Sequence, residues 1–533
     1  MEHGRALEPH SSAEITLMFR LLARECRSWH SLCLVLGVSP LIKPKAVANR
    51  PWACHSGPLK GHPLIHTVHT EADYRPLGRP SPRLATRIAG LGLLALASCA
   101  TYAENTEDAL GAFQRGDVDD SVSAYRDAVD SNFLRGAEAG TVLLAAGRWS
   151  EARAEFERAQ RAVNDIEEQA LISAEDLTEK LGSWFWNDTV QTYQGEGFER
   201  VYLHMSLALT YLAEGKLQSV FVETRLANKL LESEEGLYEK EYKAGGLGHF
   251  ISAITYELMG EYDEAYIDYK RMAEKGVGLG VAGPALVRIA KKLHRDDELP
   301  AFEARFGASE APPADAASIV VIAGVGLGPY KEEKGIAVES WDGLIKIVAP
   351  TLRRRSQSVG DLRLVLQDGG GSLRTAVVEE VSDVAEENLN DRIVMVTAKS
   401  VARTFAKREM TKQLQDDHGI FGRLVGDVFS AATERADLRF WQTLPDTYQA
   451  ARMFVSPGEH GIELQAGPAG TADLGRFLLE PGETLVILAR TVDYQLFANV
   501  IGGTPVAAAV TPAATPAPKP TNEPVENMLI LGE

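Results

Sequence analysis

A spacing of small, apolar and aromatic residues recurs four times between Ala109 and Met272, and it constrains the fold more than any other feature. In full it is Ala/Gly-x-x-apolar-x-x-x-Gly-x-x-x-x-small-x-x-x-aromatic-x-x-Ala. The first copy is Ala109, Ala112, Gly116, Ser121, Tyr125, Ala128, and the second is Gly140, Leu143, Gly147, Ala152, Phe156, Ala159. The third, Ala208, Tyr211, Gly215, Val220, Thr224, Ala227, has a threonine in the aromatic place. The fourth, Ala253, Tyr256, Gly260, Ala265, Tyr269, ends on Met272. Such a spacing predicts paired helices. The small residues let two helices approach, the glycine turns the chain between them, and the aromatic fills the gap to the next pair.

This pattern resembles the tetratricopeptide repeat. The resemblance implies stacked helix pairs over residues 99–310, with a groove able to hold a segment of a partner protein. The glycines stand 31, 68 and 45 residues apart, so the array is interrupted and its copies are degenerate. An irregular helical bundle is the competing expectation.

The longest interruption holds Trp184-Phe185-Trp186-Asn187-Asp188, then Tyr193-Gln194-Gly195-Glu196-Gly197-Phe198-Glu199-Arg200. So many large aromatics in one segment are expected to fold back onto the helices between 140 and 260 and shape one side of the groove. Trp184 and Phe198 are expected to be buried and Trp186 exposed. Asn187 or Asp188 can cap a helix. Glu196 and Glu199 lie three apart at the start of a helix over Arg200–Ala213, where the helix dipole favours acids. Trp184, Trp186, Asp188, Tyr193, Glu196, Glu199 and Arg200 form the candidate binding set.

Ala311-Pro312-Pro313 marks a linker, and a smaller α+β part with an antiparallel or mixed sheet is expected over 316–500. Ser318–Val325 is a continuous apolar run of strand length. Lys334–Glu339, Leu362–Gln367, Leu373–Val381, Arg452–Val455, Gly461–Gln465 and Thr484–Ala489 are further strand candidates. Gly324-Val325-Gly326-Leu327-Gly328-Pro329 invites a phosphate-loop reading but lacks the Gly-Lys-Ser/Thr ending, so a glycine-rich turn is expected. Helices over Lys399–Gln415 and Ile420–Ala432 predict a hairpin packed on the sheet; the second is too short to span a bilayer. Residues 504–533, rich in Pro and Ala, are expected to be disordered.

Upstream, Arg79, Arg83 and Arg87 precede the apolar run Ile88–Ala97, which ends in Leu96-Ala97-Ser98-Cys99. The run is about half the ~20 residues a membrane span needs, so residues 78–98 read as a signal. Leu96-Ala97-Ser98-Cys99 resembles the lipobox of bacterial lipoproteins, whose cysteine takes diacylglycerol and becomes the new N-terminus. Residues 1–77 hold seven of the twelve histidines and three of the four cysteines, with no sustained period. They are expected to be either an upstream extension set by a start codon placed too early or a disordered cytoplasmic segment. Residues 1–98 carry twelve Lys/Arg and six Asp/Glu; the whole chain is −19, which leaves −25 for residues 99–533. So acidic a body argues against nucleic acid and against broad adhesion to anionic lipid. With Cys99 as its one cysteine, it can build no disulfide and no cysteine metal site, and no cofactor or metal is expected.

Trp186-Asn187-Asp188 … Tyr193-x-Gly-Glu-x-Phe-Glu-Arg-Val, with His204 and Leu207-Ala-Leu-x-Tyr-Leu, is similar to an uncharacterised family of bacterial tetratricopeptide-repeat outer-membrane lipoproteins. Gly328-Pro329-x-Lys331-Glu-Glu-Lys and Thr433–Pro445 carry the same resemblance. It implies a lipid anchor on Cys99 and a helical half before a mixed half, in the periplasm. Ala100 stands where an inner-membrane protein of this type has Asp, so the outer membrane is implied. A non-catalytic protein binding an envelope partner, as an assembly or secretion accessory, is the expected function. An enzyme on cell-wall or surface polysaccharide is the alternative, with Asp188, Glu196 and Glu199 as carboxylates and Trp184 and Trp186 as sugar platforms. A structural spacer is the third expectation.

Overall fold

Each of the four repeated glycines ends one helix and admits the next. The one-turn helix α1 (Tyr102–Asn105) leads into α2 (Glu107–Arg115), and Gly116 separates α2 from α3 (Val118–Ala128). Gly147 lies between α4 (Asn132–Ala145) and α5 (Trp149–Ile172), and Gly215 between α6 (Gly197–Ala213) and α7 (Leu217–Tyr238). Gly260 lies between α8 (Gly246–Leu258) and α9 (Tyr262–Lys275). All four glycines are left-handed, with φ between +70° and +86°. In every case the next residue donates its N–H to the carbonyl at the pattern's apolar position: Asp117 to Ala112, Arg148 to Leu143, Lys216 to Tyr211, Glu261 to Tyr256, at 2.9–3.0 Å. That bond closes a helix C-terminus only when the residue before its donor is left-handed, which is why glycine stands there. The small positions are equally constrained: a Cβ on Gly140 would meet the Phe156 ring at 2.5 Å. Helices α10 (Leu279–Lys292) and α11 (Leu299–Phe306) complete the helical part.

This is a computed structural model, and it describes residues 101–172, 192–238, 240–308, 310–340, 343–393 and 436–506. Leu96-Ala97-Ser98-Cys99, Trp184, Trp186, Asp188, the helices expected over 399–415 and 420–432, and the chain after residue 506 lie outside the described residues.

After Pro312-Pro313 the chain is mostly strand, with one helical stretch described over residues 381–393. A mixed five-stranded sheet has the order β11-β10-β1-β7-β6, from β1 (Ala317–Val325), β6 (Ala376–Glu380), β7 (Thr447–Val455), β10 (Thr484–Val492) and β11 (Gln495–Ile501). The apolar run is its central strand: β1 pairs in parallel with β10, from Ser318↔Thr484 to Gly324↔Arg490, and antiparallel with β7. Every residue of β1 is buried. Val320 and Ile322 join the core of the helical part, while Ile319, Val321 and Ala323 face a second sheet. The antiparallel second sheet has the order β12-β9-β8-β4-β5, from β4 (Arg363–Leu366), β5 (Gly371–Arg374), β8 (Gly458–Gln465), β9 (Thr471–Leu479) and β12 (Thr504–Pro505). A hairpin of β2 (Tyr330–Ser340) and β3 (Gly343–Arg353) stands apart from both sheets.

The result is three layers, helices, mixed sheet and antiparallel sheet. A single apolar cluster runs from Ala109 on α2 through the helices to Tyr448 and Leu488 on the mixed sheet. The boundary near residue 310 therefore separates an all-helical part from a strand-rich part whose mixed sheet shares the helices' core.

Three expectations need correction. The single strand expected over Leu373–Val381 is two, β5 and β6, in different sheets. Thr375 turns the chain between them, donating its N–H to the Leu362 carbonyl and its hydroxyl to Gln449 Oε1. The tail does not begin at Thr504: Thr504 and Pro505 pair with Leu478 and Phe477. Gly502 and Gly503, both left-handed, turn the chain there, and Gly503 N–H is held by Glu483. The helix expected over Arg200–Ala213 starts three residues earlier, at Gly197. After Gly324–Pro329 the chain continues as strand β2, as a turn would have it and a phosphate loop would not.

Candidate functional site

Of the candidate binding set, Tyr193, Glu196, Glu199 and Arg200 are described, and the first three turn inward at the start of α6. Glu196 is the N-cap of α6, and the Glu199 carboxylate reaches back to the Glu196 N–H at 2.8 Å, a reciprocal capping box. Glu199 also accepts the Tyr193 hydroxyl at 2.6 Å and, on its other oxygen, the Trp441 N–H at 2.7 Å. Glu196 is paired with Lys331 of β2 and with Arg392 at 3.2 Å. Phe198 is buried as expected, Tyr193 is buried too, and Arg200 is half-buried. The two glutamates thus hold the molecule together from within, where the sequence suggested carboxylates facing a groove.

What fills that groove is the chain itself. Phe440-Trp441-Gln442-Thr443-Leu444 lies across the inner face of the helices, and Trp441 is fully buried. Its ring meets Phe133 edge-on at 6.3 Å and Phe156 at 6.2 Å, and its indole N–H reaches Thr141 Oγ1 at 3.1 Å. Phe440 packs on Phe198 at 5.7 Å. Glu138, in the middle of α4, accepts the N–H groups of Gln442 at 2.8 Å and Thr443 at 2.9 Å, and the Tyr102 hydroxyl at 2.9 Å. A lone acid among small residues, Gly136-Ala137-Glu138-Ala139-Gly140, was the signal in the sequence for such a contact. The spacing pattern passes over it.

A third carboxylate ties sheet to helix. Gly245, the left-handed N-cap of α8, has no side chain to bond the free N–H groups of its helix. Glu379 of β6 supplies the acceptor, taking Gly245 N–H at 3.2 Å and Leu247 N–H at 2.9 Å. Burial pushes the Glu379 carboxyl up to about 7, against the pull of those N–H groups. Burial, then the neighbouring Glu196 charge, also raises Glu199, while Lys331 opposes them. Glu138 is raised by burial in the same way. Arg490, buried on β10, donates to the carbonyls of Gly324, Gly326 and Thr443, so a guanidinium holds the glycine-rich turn in place. Burial lowers that guanidinium to about 10.

Among the described residues a crevice opens beside this seam, with a volume of about 560 Å³. Helix α10, the Pro312-Pro313 linker, β5 and β7 wall it. At its inner end Glu257 is shared by Arg288 at 2.7 Å, Arg452 at 2.7 Å and the Tyr269 hydroxyl at 2.9 Å. Burial would raise the Glu257 carboxyl, but Arg452 and Arg288 outweigh it and hold it below its ordinary value. Both guanidiniums lie against the Phe454 ring, at 5.1 and 4.9 Å. Of these residues the repeat pattern marks only Tyr269, its fourth aromatic; Glu257, Arg288 and Arg452 come from α8, α10 and β7 without a mark. Among the described residues, no three His, Cys, Asp or Glu side chains gather as a metal site, and no helix is long and apolar enough to cross a membrane.

Compared with known protein families, curated proteins and solved structures, the chain matches none.

Proposed function

We propose that this chain is a lipid-anchored, non-catalytic protein of the bacterial outer membrane, of the tetratricopeptide-repeat lipoprotein type, working by protein–protein contact in the periplasm as an assembly or secretion accessory. Cys99 carries the anchor. The observation behind the reading is the capture of Trp441, Gln442 and Thr443 by Glu199 and Glu138. It commits one of the alternative's carboxylates, Glu199, to main-chain N–H groups, and Glu196 to a cap with Lys331 and Arg392. It also means that the inner face of the helices holds a segment of the chain in cis, so a partner in trans meets the outer faces. There Val222 and Ile267 are large apolar side chains that are more than half exposed.

Photo-crosslinking residues at Val222 and Ile267, in cells that make the full chain, test this. An envelope-protein adduct that forms with Cys99 present and is lost in Cys99→Ala supports the reading. No adduct at either position, with the wild-type chain in the soluble fraction, overturns it.

A further inference from the structure

We propose that the crevice between α10 and the sheet edges binds a single-chain amphiphile, a carboxylate head on an aliphatic body. This goes beyond the protein-contact reading and does not depend on it. The head's place follows from charge. Arg288 and Arg452 share the one carboxylate of Glu257, so the inner wall is a cation of net charge +1. Arg452 Nε, though buried, has no acceptor among the described residues. At the rim Arg374 is cancelled by Asp361 at 2.6 Å. The uncancelled positive charge therefore lies within, where it attracts an anion. Two planar guanidiniums offer forked donors that match a carboxylate.

The body's nature follows from the walls. Between the arginines and the rim they include Val281, Pro284, Leu373, Val455, Pro312 and Pro313. The three prolines have no N–H to give. An alkyl chain needs no hydrogen bonds from such walls. The volume, about 560 Å³, falls in the range of roughly 300–1,000 Å³ usual for small-ligand sites. Leu373, 38 % exposed at the rim, is an apolar side chain that such a tail would cover.

The test is calorimetric titration of the purified full chain with sodium dodecanoate, dodecanol, and a tripeptide Ala-Leu-Phe with a free carboxylate. Saturable one-to-one binding of dodecanoate is expected, at least ten-fold tighter than either of the other two. Arg288→Gln should weaken it at least ten-fold. Leu373→Glu, a surface change that leaves the arginines in place, should do the same with the melting temperature unchanged, and it decides the matter if Arg288→Gln does not fold. The proposal is overturned if dodecanoate does not bind, if dodecanol binds equally well, if the tripeptide binds more tightly, or if Leu373→Glu has no effect.

Discussion

Trp441→Ala should destabilise the whole molecule, because the ring it removes is packed against the helices from a segment some 300 residues later in the chain. Trp441 has no exposed surface and lies between Phe133 and Phe156. Truncating a buried aromatic to alanine costs about 3–5 kcal/mol, the transfer of the lost atoms plus the cavity they leave. Unfolding entropy is about 2.1 cal/mol/K per residue, so over the roughly 340 described residues 1 kcal/mol corresponds to about 1.4 °C. The melting temperature should then fall by about 4–7 °C. Trp441→Phe keeps most of the ring and loses the indole bond to Thr141, so a fall of only about 1–3 °C is expected. Differential scanning calorimetry of the two variants and the parent measures this. A fall below 1 °C for Trp441→Ala would refute the reasoning. So would a parent whose helices and mixed sheet melt in two well-separated steps, since elements sharing one core should melt together.

Other perturbations give equally definite expectations. Gly140→Ala places a methyl group 2.5 Å from the Phe156 ring and should cost about 1–3 kcal/mol by denaturant unfolding, far more than an alanine on an open helix face. Glu379, raised to about 7 in the folded chain, contributes stability that is present below its ordinary 4.5 and lost as pH climbs through 7, roughly 3 kcal/mol in all. The parent should therefore lose more melting temperature between pH 5 and 7.5 than Glu379→Gln does; parallel curves would show that this carboxyl is not perturbed. Cys99→Ala should abolish lipid labelling and move the protein from the membrane to the soluble periplasmic fraction, and a mutant that still sediments with membranes after a high-salt wash would show that the lipid is not the anchor.

The features legible in the sequence were those set by neighbours. Gly116, Gly147, Gly215 and Gly260 could be placed because a left-handed turn bonds carbonyls only a few residues back. The β1 strand could be placed because burial on both faces needs an unbroken apolar run. The strands missed lack such marks. In β9 (Thr471–Leu479) exposed and half-buried residues alternate over its first six positions, and β11 (Gln495–Ile501) is half-buried throughout. The seam was illegible for a different reason. Glu199 was read as an acid at a helix start and Glu138 was passed over, and only the fold brings Trp441 to the one and Gln442 and Thr443 to the other across 242 to 305 positions of chain. Arg288 and Arg452 were passed over on the same ground, since the carboxylate they share belongs to a third element.

The central claim is that the chain's own segment 440–444 fills the inner face of its helices as part of the core. Amide hydrogen exchange at Trp441, Gln442 and Thr443 tests it most directly, because these N–H groups are donated to Glu199 and Glu138 in the buried seam. They should exchange as slowly as the amides of Val320 and Ile322 in the central strand, at the rate of global unfolding. Exchange at the rate of an open loop, with Val320 and Ile322 still protected, would contradict the account.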